Sequence, residues 1–267
     1  SALPKPAWQL LRVLTLLVTL GFAALLTVDP AVGLKLWWGL AIPVLPALLV
    51  IAPGLWRQVC PMAFVNQIPR MTGSSRNQPL PATWKNHAFL VAVGIFLACV
   101  AARSPLLNHS GGLVAAGIVG VLILAFVGGL VFTGRSGWCG TFCPLGPIQR
   151  TYGQAPLVVV PNGYCPTCVG CQKNCYDFNP RGAIFADLVD SDPRYASQRR
   201  LFIGLLPGLI CAYFLQGPSQ TYGHELYLAI LLGSCCASAG LYAIATSYFP
   251  FSPHRVAAVF AAVALAL

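Results

Sequence analysis

Charge is what this 267-residue sequence has least of: 8% of its residues are Asp, Glu, Lys or Arg, and only six of them are acidic. A soluble globular domain carries about 25% charged residues, so the composition excludes one. Hydrophobic residues make up 57% and mean hydropathy is +0.73; the fold class these values predict is an all-α integral membrane protein. A small-x-small cleavage site is also missing after the first apolar run, where TVDPAVGL follows instead. That run, with Lys5 and Arg12 at its start, is therefore read as an uncleaved span and not as a signal peptide. Histidine is scarce: His87, His109, His224 and His254 sit at span ends, with no two expected to face each other across the bundle. This leaves no bis-histidine site for a transmembrane haem.

Apolar runs long enough for a hydrocarbon core of ~30 Å occur at 7–28, 33–52, 87–103, 112–133, 201–217 and 226–245. A seventh run, 255–267, rises only ~20 Å as a helix. About six transmembrane helices and part of a seventh are expected. The chain starts at Ser1 and stops inside that seventh run, so a longer native chain is expected. With the N-terminus inside, Lys5, Arg57, Arg70, Arg76, Lys85, Arg135, Arg150, Lys173, Arg181, Arg194, Arg199, Arg200 and Arg255 share one side, thirteen of the sixteen basic residues. Only Lys35 and Arg103 fall on the other, and Arg12 lies within the first span. This asymmetry is a positive-inside signal for a multi-pass protein of the plasma (inner) membrane with a cytoplasmic N-terminus. The net charge of +10 then needs no nucleic acid; membrane lipids with anionic headgroups are the expected partner.

Three regions follow: transmembrane helices in 1–134 with a cytoplasmic segment at 54–86, a cytoplasmic region at 135–200, and further spans in 201–267. The opposite connections are too short to hold a domain. Both long inside segments begin with Cys-Pro, and CPMAFVNQ at 60–67 aligns with CPLGPIQR at 143–150, a faint internal repeat. The stretch RMTGSSRNQPLPATW is read as loop. Asp187, Asp190 and Asp192, followed by Arg199 and Arg200, read as a solvated stretch ending in a membrane anchor.

Of eleven cysteines, Cys99, Cys211, Cys235 and Cys236 lie inside spans and read as small packing residues. The other seven are all on the inside face, where the reducing cytoplasm favours ligands over disulfides. Cys165, Cys168, Cys171 and Cys175 have the spacing C-x2-C-x2-C-x3-C, that of a bacterial ferredoxin [4Fe–4S] site, in which three close thiolates wrap one cubane and the fourth Cys serves another. Structural zinc is the competing reading, but it typically uses two separated ligand pairs. In a ferredoxin the remote ligand is a Cys followed by Pro. Cys175 precedes Tyr176, so Cys60-Pro61 and Cys143-Pro144 are the remote candidates. Pro is favoured at the first helical position, which makes the preceding Cys a cap whose thiolate meets the positive end of the helix dipole.

These residues resemble the polytopic membrane ferredoxin-type proteins that include the quinol-dehydrogenase membrane subunit of periplasmic nitrate reduction, the nitrous-oxide-reductase maturation protein and iron–sulfur accessory proteins of cytochrome oxidase assembly. Their shared pattern is C-x3-C-P at span ends followed by cysteine quartets. Cys139 and Cys143-Pro144 match one C-x3-C-P, Cys60-Pro61 matches half of another with Trp56 in place of its first cysteine, and Cys165 to Cys175 match one quartet. Seven ligands are one short of two all-cysteine cubanes. Either one cluster forms with spare thiols, or two form with one non-cysteine or open iron. The reading adopted is two: Cys165, Cys168 and Cys171 with Cys143 or Cys60, then Cys175 and Cys139 with the remaining Cys-Pro thiol and Asp177, water or a partner.

The resemblance implies electron transfer between the quinone pool and a redox partner protein, as a quinol-linked oxidoreductase subunit. Assembly or metal handling, or a wire subunit in a larger respiratory or photosynthetic complex, are the alternatives. Arg57, Arg135, Arg150, Lys173 and Arg181 around the cysteine segments would raise the potential of an anionic cluster. Met62, Phe64, Trp138 and Phe142 would line a quinone slot, with interfacial anchoring as their competing role.

Overall fold

The computed structural model describes residues 4–133, 137–153, 156–160, 188–189, 193–215 and 223–267. Among these residues the chain is helical and no strand forms. α1 is Lys5–Val28 and α2 is Pro30–Ile51; α3, Pro53–Val59, and α4, Pro61–Met71, are short; α5 is Ala82–Ala102, α6 Gly111–Val131 and α7 Leu145–Tyr152; α8 is Pro193–Leu215, α9 His224–Tyr248 and α10 Pro253–Ala266. Six helices are long and apolar enough to cross a membrane. Most of them start and stop within a few residues of the expected runs, because each is an apolar stretch bounded by Pro, Gly or charge; α5 and α8 begin five and eight residues earlier, since their first turns are polar. α10 is shorter, as its length predicts.

Burial is inverted relative to a soluble bundle. Val18, Ile123, Leu232 and Leu241 are exposed, facing where lipid would be, while small residues let backbones approach. One core joins Ala23 and Leu26 of α1, Val65 of α4, and Val114, Ile118 and Leu122 of α6. A second joins Leu49 of α2, Ile148 and Tyr152 of α7, Phe202 and Leu206 of α8, and Ala261 of α10. α9 packs along α8, where a Cβ on Gly208 would strike the Ser234 carbonyl.

Two of the crossing elements contain a π-helical turn, Trp37–Ala41 within α2 and Arg103–Leu107 after α5. Each has a proline at hand, Pro43 and Pro105. Proline has no N–H and its ring crowds the carbonyl four residues back, so the backbone bonds one residue further: Ile42 N–H to the Trp37 carbonyl, and Asn108 N–H to that of Arg103.

Two sequence expectations are corrected. His109 and His224 do face each other, with ring centroids 6.5 Å apart, because the turn that follows α5 meets the start of α9; His224 Nδ1 also lies 3.2 Å from Ser104 Oγ. They sit at the end of the bundle. Arg200 is no simple membrane anchor: its Nε and a terminal nitrogen both donate to the Leu188 carbonyl, tying down the chain just ahead of α8. The stretch after α4 is loop as expected, stitched to the end of α6 by Arg76 N–H to the Leu130 carbonyl and Gln78 N–H to that of Val131.

Candidate functional site

Cys60 occupies the break between α3 and α4. Its N–H donates to the Trp56 carbonyl, closing α3, and its own carbonyl accepts from Phe64, opening α4. Pro61 takes the first helical position, as the sequence predicts. Trp56 packs into the second core, beside Leu49, Ile148 and Phe202, so the position of the missing cysteine is filled by a packing residue.

Cys143 differs slightly. Pro144, not Cys143, is the residue flanking α7, since an i to i+3 bond from Gly146 N–H to the Cys143 carbonyl tightens the first turn. The consequence for the thiol is the one expected of a helix start: the backbone N–H groups of Leu145 and Gly146 point at it and stabilise its thiolate. The loop ahead of it is gathered on one acceptor, the Trp138 carbonyl, which receives N–H groups from Thr141, Phe142 and Cys143.

The fold brings Cys60 and Cys143 together, 83 positions apart in sequence, near enough for the charge of one thiolate to oppose ionisation of the other. Burial is the larger influence: with the Cys60 charge it pushes the Cys143 thiol up to about 12, against the pull of the two N–H groups. A neutral thiol therefore sits here in the metal-free protein, and ligation releases its proton. The sign follows: the raised value favours the folded apoprotein below the ordinary thiol range, and this contribution fades as pH rises through it toward about 12. Because only the thiolate alkylates, Cys143 of the apoprotein is expected to react with iodoacetamide at pH 8 about a thousand-fold more slowly than a free cysteine. Peptide mapping of time-quenched samples checks this, and an ordinary rate would contradict it.

Two glycines at the end of α6 make the meeting possible. A Cβ on Gly129 would collide with the Asn66 carbonyl of α4, and Gly128 and Gly137 lie backbone against backbone. One helix end thus sets both Cys-Pro elements, α4 carrying Cys60 and the turn carrying Cys139 and Cys143. Asn66 adds a bond from Nδ2 to the Ala125 carbonyl, 2.8 Å.

A buried cation completes the frame. Arg12 of α1 is fully enclosed; its Nε donates to the Gln58 carbonyl at 2.6 Å and one terminal nitrogen to Gln67 Oε1 at 2.9 Å, while Thr15 donates to the Val59 carbonyl at 2.6 Å. The last carbonyls of α3, orphaned where the helix breaks, are thereby satisfied and the negative helix end meets a positive charge. Arg12→Leu is expected to lower the thermal midpoint sharply, since each buried acceptor left without a donor costs about 1–3 kcal/mol. Arg12→Lys, with charge but no fork, should recover part of the loss in a melting experiment.

Cys139 is half-buried in the loop. Among the described residues no three Cys, His, Asp or Glu side chains gather as a metal site, so Cys139 does not complete a trio with Cys60 and Cys143. The quartet Cys165, Cys168, Cys171 and Cys175, with Asp177, lies outside the described residues. Its approach is visible: Leu157 and Val158 N–H groups bond to the Val50 and Ile51 carbonyls at the end of α2, and Val160 presses on Gly54 of α3. Of the four residues nominated for a quinone slot, Trp138 is buried, Phe142 stands edge-on to Trp84 at 6.0 Å, Met62 Sδ is 3.9 Å from Cys60 Sγ, and Phe64 lies under the Arg12 guanidinium. Sequence reading missed Gly128, Gly129, Arg12 and Thr15; the paired glycines before a span's end were the available signal.

Residues 113–159 match the family described as a 4Fe-4S binding domain. The match supports an iron–sulfur protein of ferredoxin type. It takes in α6, Cys139, Cys143 and α7, and stops before Cys165. No curated protein and no solved structure matches the chain. The thiol pair fits such a group: a buried Cys60 and a half-buried Cys143 close enough to influence each other's ionisation, one of them receiving backbone N–H groups.

Proposed function

We propose that this chain is a membrane electron-transfer protein that holds one or two [4Fe–4S] clusters at the cytoplasmic membrane face and passes electrons between the quinone pool and a redox partner. The observation that carries the reading is that the fold brings Cys60 and Cys143 near each other while the chain leading to the quartet packs on α3, the helix that ends at Cys60. Val160 touches Gly54, and Cys165 follows Val160 by five residues, a reach of at most about 18 Å. Cys143 or Cys60 would supply the remote ligand to Cys165, Cys168 and Cys171; Cys139 and Cys175 would contribute to a second cluster.

When bound, the cluster supplies a one-electron couple. The chain's own residues do the rest: the Leu145 and Gly146 N–H groups hold negative charge on the Cys143 sulfur, which raises a cluster's potential, and the Trp138 carbonyl gathers the turn that positions it. Anaerobically purified protein should contain about four irons per chain for one cluster, or about eight for two, give an EPR signal on dithionite reduction, and be reduced by a short-chain quinol within turnover time. Clusters that no quinol or co-purifying partner reduces would assign the chain to assembly or metal handling. Zinc in place of iron, with no EPR signal, would overturn the reading.

A further inference from the structure

At the end of the bundle remote from the cysteine segments, the two π-helical turns face each other. Arg103, the first residue of one, places its guanidinium carbon 5.0 Å from the ring of Trp38, in the other, and 3.7 Å from that of Tyr213 on α8. π-Turns are rare and recur at functional sites, and an ionisable group inside a membrane fold marks a site by default. Arg103 is 5% exposed, and the one hydrogen bond of its side chain among the described residues runs to the Tyr213 carbonyl at 3.0 Å.

The guanidinium is permanently charged, and a buried charge needs a counter-charge. Among the described residues no carboxylate pairs with it. Of the six acids, Asp177, Asp187, Asp190 and Asp192 lie outside the described residues, and neither Asp29 nor Glu225 pairs with Arg103 among the described contacts. Polar groups on all three residues lack a hydrogen-bond partner: Arg103 Nε and Trp38 Nε1, which can only donate, and the Tyr213 hydroxyl, which can donate as well as accept, are buried and unpaired. Two aromatic faces and one carbonyl offset part of the cost, and the rest calls for an oxyanion from outside the chain.

We propose that Arg103, Trp38 and Tyr213 form a binding site for the phosphate of an anionic phospholipid in the leaflet opposite the cysteine segments. A phosphodiester offers two oxygens to the guanidinium fork. Free phosphate shares that chemistry, but the surroundings select a lipid: Leu40 and Leu106, one in each π-turn, are more than half exposed where acyl chains would lie, and Lys35, one helical turn before Trp38, is exposed and positioned to attract the headgroup.

The test uses cluster-loaded protein, delipidated in a neutral detergent and melted with added phosphatidylglycerol, diacylglycerol or inorganic phosphate. Phosphatidylglycerol should raise the melting temperature and diacylglycerol should not. The rise should vanish in Arg103→Gln, shrink in Trp38→Phe, which keeps an aromatic face but loses the indole N–H and one fused ring, and persist in Arg255→Gln at the opposite membrane face. Should Arg103→Gln fail to fold, Trp38→Phe and the lipid count by native mass spectrometry carry the decision. An equal rise with diacylglycerol, a rise with inorganic phosphate alone, or a phosphatidylglycerol effect untouched by Trp38→Phe would each overturn the proposal.

Discussion

Cys143→Ala should remove about four irons per chain and with them quinol-dependent reduction, while Cys99→Ala, at a lipid-facing position, should change neither. The expectation rests on placement. Cys143 has Leu145 and Gly146 N–H groups on its sulfur and Cys60 as its neighbour, whereas Cys99 lies within α5 at an exposed position. Iron analysis and EPR on the two variants decide it; unchanged iron in Cys143→Ala would remove Cys143 from the ligand set. Cys60→Ala should behave like Cys143→Ala if the two thiols serve one cluster. If they serve two clusters, the double variant should lose twice the iron of either single one.

Gly129→Val should empty a cluster without touching a cysteine. A side chain at Gly129 meets the backbone carbonyl of Asn66, which has no rotamer to escape into, so α6 and α4 must part. Overpacking of this kind costs about 1–3 kcal/mol, which a six-span protein can survive. Ligand geometry is less forgiving, since metal–sulfur contacts tolerate only about 0.2 Å. Cys60 moves with α4. Gly120→Val on the same helix, where a Cβ meets nothing within 4 Å, is the matched control and should keep its full iron. Equal iron in both variants would mean that the α4–α6 contact does not set the position of Cys60.

The helix ends and the thiols were legible in the sequence to different degrees. Each span is a local property, an apolar run bounded by Pro, Gly or charge, and so the six crossings could be read directly. The Cys-Pro motif likewise announces a helix start, and Cys60 and Cys143 lie at helix starts, one residue apart in register. Arg12 was legible as a charge inside a span, but its purpose was not, because its acceptors Gln58 and Gln67 lie on two other helices. The histidines misled for the same reason: His109 and His224 are distant in sequence and meet only where the turn after α5 reaches the start of α9.

By itself the sequence determined six apolar spans, which the described helices reproduce, and the ligand spacing of the quartet, because apolar length and cysteine spacing are each carried by neighbouring residues. Only the tertiary structure decided that Cys60 and Cys143 come together, that Gly128 and Gly129 bring them there, and that Arg103 is buried with no carboxylate paired to it among the described residues. Those facts depend on which helix faces which, and that is set by backbone approach at small residues and by the partners available to buried polar groups, neither of which is written in any one segment.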